Sequence, residues 1–316
     1  MKKYSDYGIK EDVGMNYKKK KITVGDLVFQ TTNITIFVLF AIICIYPFYY
    51  VFINSISNNA KVAVGAVRFW PQGIHFDNYI SAFQIKGIGR AAFISVARTV
   101  LGTFAMLLST SILGYAVTKQ EFWHRKFWYR FLVATMYFSA GVIPNYLNIK
   151  RLGLLDNFWV YVLPAFVAPY NLILFKTYVE SIPQSLEEAA LMDGAGYATR
   201  FLKVILPLSK PIIATVSIFT AVGQWGSFMD TVLYMSNNDY RTLQSLLYQY
   251  LSRIELLSDM LKKSQSASER EMLLASANPA AIRYTVTCIT IFPVMLFYPF
   301  FQRYFIKGIM IGAVKG

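Results

Sequence analysis

Three groups of residues in this chain are of types that could do chemistry. The first is an acid-bearing segment, Ser185 to Pro207, which reads SLEEAALMDGAGYATRFLKVILP. Its neighbours Glu187 and Glu188 are the one acid pair resembling the paired carboxylates that a membrane-embedded transferase needs. The second group is aromatic and amide-rich: Gln224, Trp225, Ser227, Phe228 and Asp230, with Tyr137, Ser139 and Asn145. Sugar sites need aromatic faces to stack on and amides or hydroxyls for hydrogen bonds. Aromatic residues of membrane helices more often serve packing or interfacial anchoring. The third group is Arg98 and Asp230, ionisable residues near or within apolar runs, where such residues are often functional. An ion pair, within the chain or across subunits, competes there with solute binding. His75 and His124 have no carboxylate or cysteine partner at ligand spacing. Cys44 and Cys288 are too few for a disulfide framework or a metal site. No catalytic residue and no metal ligand is therefore expected.

The elements that must position these residues follow from composition. The chain has 316 residues, 55% hydrophobic and 15% charged, with a mean hydropathy of +0.41. A soluble domain carries roughly a quarter charged residues, so an integral membrane protein fits better. The net charge of +14 would point to nucleic acid only if the basic residues shared a soluble face. They flank apolar runs instead, as topology signals and lipid headgroup contacts do. A bilayer core needs about 20 apolar residues per helix. Six segments qualify, about 28–53, 91–117, 127–147, 158–179, 211–234 and 284–305, and predict an all-α membrane protein with six transmembrane helices. The first run is too long for a signal-peptide core and reads as an uncleaved span.

Basic residues orient the chain. Lys18–Lys21, Lys119, Arg125, Lys126, Arg130, Lys176, Arg200, Lys203, Lys210, Arg303, Lys307 and Lys315 fall on the side shared by both termini. The one short loop opposite holds Lys150 and Arg151. That bias predicts a cytoplasmic N-terminus and C-terminus. It divides the chain into a cytoplasmic segment 1–26, a membrane domain 27–306 and a cytoplasmic tail 307–316. Residues 183–208 then face the cytoplasm. The outer loop 54–90 is turn-rich. The outer loop 235–283 reads as an amphipathic helical cap.

Within 183–208, Pro183 forbids a smooth continuation of the fourth span. Ser185 and Glu188 have the spacing of a capping box. A helix of about two turns over 186–193 follows, with Ala189 and Ala190 leaving one face nearly flat. Gly194 stands where a helix end favours a positive φ, and Gly196 adds a second pivot. A second helix, about 198–205, should end at Pro207. An ordinary surface hairpin would have the same caps.

The same residues carry a resemblance. Glu188-Ala189-Ala190, Gly194 after three residues, and Val204, Leu206 and Pro207 after nine more match the EAA loop of ABC importer permeases, with Val204 where isoleucine is usual. Asp193, Gly194 and Ala195 extend the match. The end of the chain, FQRYFIKGIMIGAVKG, resembles the tail of MalG-type carbohydrate permeases, and IPNYLNIKRLGLLDN is similar to another segment of them. The resemblance covers about residues 28–316 and is nearest the complex-oligosaccharide subgroup.

It implies the fold of a type I ABC importer permease, with 183–208 carrying a coupling helix that enters a cleft of an ATPase subunit. Glu187, Glu188, Ala189, Ala190, Asp193, Gly194, Ala195, Leu206 and Pro207 would serve that docking. Lys307, Gly308, Gly312 and Lys315 would reach the same ATPase from the tail. The chain has no GxxxxGK[ST] phosphate cradle, so it would be no enzyme, and partner ATPases would bind the ATP and Mg. The implied partners are a second homologous permease, two ATPase copies, an extracellular solute-binding lipoprotein, membrane lipid and the carbohydrate. The implied substrate path is Gln224, Trp225, Phe228, Asp230, Tyr137 and Asn145. The outer loop 235–283 would meet the binding protein. An ion-coupled secondary transporter is the rival reading, but it needs buried charges or inverted repeats, and the spans are poor in ionisable groups.

Overall fold

A computed structural model describes residues 24–263, 282–296 and 299. The expected cytoplasmic segment, up to residue 23, and the tail with Lys307, Gly308, Gly312 and Lys315 lie outside the described residues, as does 264–281. Among the described residues the secondary structure is helical, with no strand. The chain separates into two units, Met1–Tyr49 and Tyr50–Gly316.

The first unit consists, as described, of most of α1, Val24–Ser55, an unbroken helix with Pro47 inside it. Its apolar side chains from Val28 to Ile45 are exposed, and so is Cys44. A helix apolar on all sides is stable where its surroundings are equally apolar, as in lipid.

The second unit begins with the last residues of α1, followed in the loop after it by two short helices, α2 Asn59–Ala63 and α3 Asp77–Phe83. Next comes α4, Ile88–Thr118, 31 residues and the second helix long and apolar enough to cross a membrane. Then follow α5 Arg125–Thr135, α6 Val142–Arg151, a 3-10 turn Phe158–Tyr161, α7 Pro169–Glu180 and α8 Gln184–Met192. A compound segment comprises α9 Tyr197–Arg200, a π turn Phe201–Ile205 and α10 Leu206–Leu208. It leads into α11 Lys210–Gly226, α12 Met229–Tyr234, α13 Leu243–Lys263 and α14 Ile282–Leu296. The expected helix in the outer loop is α13.

Helix α4 organises this unit, packing against α11 and α7. Gly102 and Gly114 allow that closeness: a Cβ on Gly102 would lie 2.7 Å from Gln224 Nε2, and one on Gly114 2.7 Å from Phe175 Cδ1. Three apolar clusters complete the packing. One joins Ile94, Ile149, Val160 and Tyr161, a second joins Ala91, Leu243 and Leu246, and a third joins Tyr115, Phe175, Val179 and Ile205.

Three of the six expected spans are corrected. The third, 127–147, is not one helix: α5 stops at Thr135 and α6 begins after Gly141, whose φ is +83°. The fourth, 158–179, is a single 3-10 turn, then an irregular stretch holding Pro164, then α7 from Pro169. Each proline disfavours helical backbone in the residue before it. The fifth, 211–234, breaks after Gly226, and α12 is a separate short helix. Apolar composition reports burial in lipid or protein; it does not report helical continuity.

Within 158–179 and after Gly226, freed carbonyls are recovered by side chains. Ser109 donates to the Phe166 carbonyl, Gln224 Nε2 to the Tyr161 carbonyl at 3.2 Å, and Arg98 Nη1 to the Ser227 carbonyl at 3.2 Å. Irregular backbone at membrane depth requires such satisfaction.

Candidate functional site

Two sites come together in the second unit. The first surrounds α8. Pro183 is its N-cap, with φ −56° and ψ 124°, and no side chain caps it. The expected Ser185–Glu188 capping box is therefore corrected. Pro183 is the last extended residue, so the helix starts at Gln184, and Ser185 lies inside the first turn, too late to cap. The other end is as the sequence implies. Gly194 has φ +79°, its N–H donates to the Leu191 carbonyl at 2.9 Å, and Ala195 N–H donates to the Ala190 carbonyl at 2.9 Å. These bonds close the helix as a left-handed C′ residue does. Gly196 is extended, φ −69° and ψ 171°, and makes no second pivot of that kind.

The second helix of the loop is longer than expected. Pro207 does not end it; the helical segment runs Tyr197–Leu208 and meets Lys210–Gly226 at a bend of 77°. Pro207 lacks the N–H that would serve a carbonyl one turn back. The π turn just upstream widens the helix where that bond is missing.

The two neighbouring acids of the loop have different surroundings. Glu188 is exposed, as are Ala189, Asp193, Gly194 and Pro207, while Ala190, Ala195 and Leu206 are half-buried. Glu187 is tucked in. Its carboxylate accepts from Tyr115 Oη at 2.6 Å, from Lys119 Nζ at 2.5 Å on Oε1 and again on Oε2, and from Arg200 Nη1 at 3.3 Å. Burial pushes its pKa up, but the Lys119, Tyr115 and Arg200 donors outweigh this and hold it below the ordinary glutamate value. Tyr115 and Lys119 are four residues apart, at the spacing that puts both on one face of a helix. That spacing was available in the sequence and was not read. The outward side of α8 carries Leu191 and Met192, the latter 86% exposed. Glu187 and Glu188 also line a cavity of about 510 Å³ with Lys119, Arg125 and Arg200.

The second site is a cavity of about 660 Å³, within the range of small-molecule pockets. Its polar lining includes Asn145, Asn148, Thr220, Gln224, Ser227 and Asp230. Arg98 stands in its wall, 2% exposed, with every guanidinium donor engaged. Nη2 meets Asp230 Oδ2 at 2.5 Å and Gln224 Oε1 at 3.1 Å. Nη1 meets Asp230 Oδ1 at 3.1 Å, besides the Ser227 carbonyl, and Nε meets Gln224 Oε1 at 3.2 Å. Tyr161 lies under the guanidinium, its ring centroid 4.3 Å away, and its hydroxyl donates to the Tyr240 carbonyl at 2.7 Å. The Arg98–Asp230 pair is thus formed within the chain.

Three expected path residues, Gln224, Asp230 and Asn145, share this cavity. The other three do not line it. Trp225 donates from Nε1 to the Thr290 carbonyl at 2.9 Å and packs against the cluster of Ala91 and Leu243. Phe228 stacks on Tyr248 at 4.8 Å, and Tyr137 is 83% exposed. Asn148 and Tyr234 were missed. Asn148 follows Asn145 by three residues on α6, one helical face, and that signal was readable. The two histidines lie in connections, His124 with φ +50° just before α5.

A helical membrane chain with an exposed acidic loop helix and a polar cavity beside broken helices has the form of a transport permease. Residues 24–311 match the family described as binding-protein-dependent transport system inner membrane component, and the chain belongs to it. Members are transport components of the membrane rather than enzymes. Among relatives, Protein LplC of Bacillus subtilis (strain 168) is 34% identical, over 93% of this chain and 97% of its own length. The polygalacturonan/rhamnogalacturonan transport system permease protein YtcP of the same organism is 36% identical, over 88% and 95%. A solved bacterial ABC transporter involved in import of the acidic polysaccharide alginate has a chain that superposes with TM-score 0.76 at 30% identity, covering 90% of this chain and 98% of that one.

Proposed function

We propose that this chain is a permease subunit of an ATP-driven importer that carries an oligosaccharide from an external binding protein to the cytoplasm by alternating access. The observation that carries the reading is α8: a short helix bearing the EAA residues, exposed on Glu188, Ala189, Leu191 and Met192, yet anchored to the transmembrane helix α4. That exposed face, on a helix held to the membrane domain, is the surface this reading gives to a soluble partner. The partners in this reading are two ATPase copies, which bind the ATP and Mg, a second related permease, and the binding protein at the outer face.

Six crossings fit the chain. They are α1, α4, the broken pairs α5–α6 and 158–180, the unit around α11, and α14. Both termini then lie in the cytoplasm with α8. The 660 Å³ cavity supplies the sugar path through this subunit, with Asn145, Asn148, Gln224 and Asp230 presenting hydrogen-bonding groups and Tyr234 presenting a ring. The oligosaccharide class rests on the named relatives. The residues of the tail, Lys307, Gly308, Gly312 and Lys315, are assigned a second contact with the ATPase, and the outer loop 235–283 a contact with the binding protein.

The reading is tested by uptake into proteoliposomes holding the complete complex and ATP, with its binding protein outside and a panel of neutral and acidic oligosaccharides. At least one glycan should enter only with ATP. Glu188→Lys and Gly194→Asp should each abolish uptake while the protein still inserts and the two permeases still associate. Full uptake by both variants refutes the docking role. Uptake driven by a proton gradient without the ATPase supports a secondary transporter instead.

A further inference from the structure

The backbone of α8 packs against α9 and the π turn. Among the described residues, the hydrogen bonds from α8 side chains to α4 and the residue capping it are those of Glu187 to Tyr115 and Lys119. From Tyr115 back to Arg98, α4 runs without a proline or a break. That stretch is about 26 Å long at 1.5 Å per residue, comparable with the bilayer core. Close packing stiffens it on two sides, at Gly102 against Gln224 and at Gly114 against Phe175. At its far end Arg98 places all its donors on Gln224, Ser227 and Asp230, which line the cavity.

We infer that Glu187 is a positioning residue that clamps the docking helix to α4, so that displacement of α8 is delivered along α4 to Arg98 and the cavity wall. This rests on the proposed function and divides the labour of the two neighbouring acids. Glu188 faces the partner, and Glu187 transmits. A purely local role, neutralising Lys119 and Arg200, would stabilise the loop without linking the cavity to nucleotide. Coupling between nucleotide and cavity is the quantity to measure.

In the complete complex, with Cys44 and Cys288 replaced by serine, Asn148→Cys reports on the cavity through its rate of modification by a soluble maleimide. ATP with vanadate should change that rate by at least 5-fold. Added Glu187→Gln, or Lys119→Gln, should cut the change below 2-fold while the ATPases stay bound and still take up ATP. The two together should be no worse than the stronger alone, as expected of one shared link. An undiminished response in both single variants overturns the inference, as does a double variant whose defects multiply. If Glu187→Gln does not assemble, the pair Tyr115→Phe with Lys119→Gln, which removes both donors of α4 and its cap and leaves Glu187 in place, decides. A reduced response supports the clamp, and an undiminished one overturns it. Absence of any nucleotide response in the parent complex would instead be a failure of the proposed function.

Discussion

Arg98 and Asp230 differ in their access to water, and that difference ranks their substitutions. The Arg98 side chain is 2% exposed and that of Asp230 22%. Asp230→Ala strands a guanidinium where water does not reach; breaking a buried pair in this way costs about 3–5 kcal/mol. Arg98→Met leaves a carboxylate that still accepts from Thr231 N–H at 2.9 Å and still touches solvent. Thermal unfolding of detergent-purified protein should therefore show the larger loss for Asp230→Ala, and an equal or reversed order would contradict the arrangement. Glu187 gives a second expectation. Its folded pKa is lowered, so its contribution to stability is complete above the ordinary glutamate value of about 4.3 and is lost as pH falls through the lowered one. The melting difference between the native chain and Glu187→Gln should persist at neutral pH and vanish in acid below that range. A difference independent of pH would mean that the carboxylate is not the anchor. Neither network could be assembled in full from the sequence, because Asp230 lies 132 positions from Arg98 and Glu187 72 from Tyr115. Only the residue types could be flagged, and of the two only the Arg98–Asp230 pairing was raised.

At the scale of elements, short-range chemistry was legible and continuity was not. The positive φ of Gly194 follows from its place after a two-turn helix and before another. The capping box failed because Pro183, not Ser185, is the N-cap, so the helix starts at Gln184, two residues early. The breaks within 127–147, 158–179 and 211–234 escaped a hydropathy reading, because stretches such as 136–141 are apolar without being helical. Within 158–179 the freed carbonyls are met by Ser109 and Gln224, which sequence cannot assign to them. Gly194→Ala tests the loop directly. Nothing stands within 4 Å of the added Cβ, so the left-handed strain acts alone, about 1–2 kcal/mol. Hydrogen exchange should quicken at Gly194 and Ala195 while α4 is unchanged. Unaltered protection there would show that the turn does not depend on glycine. Gly102→Ala acts by crowding instead. Its Cβ presses on Gln224, so the Arg98 contacts and the cavity they line should be disturbed, at about 1–3 kcal/mol of overpacking.

At the scale of the whole molecule, the arrangement turns on which side α8 occupies. Met192 on α8 and Trp70 in the loop after α1 are both strongly exposed, 86% and 76%. In a background with both native cysteines replaced, Trp70→Cys should react with an impermeant thiol reagent on intact cells and Met192→Cys only after the membrane is opened. The reverse pattern would invert the topology. The central claim is that α8 is the point through which an ATPase moves this subunit. It is tested most directly by placing a photoreactive amino acid at Leu191, exposed on α8, and irradiating the assembled transporter in its membrane. The account predicts a cross-link to the ATPase subunit whose yield changes when ATP is bound. An intact assembly in which Leu191 captures lipid, the second permease or the external binding protein, and never the ATPase, would contradict it.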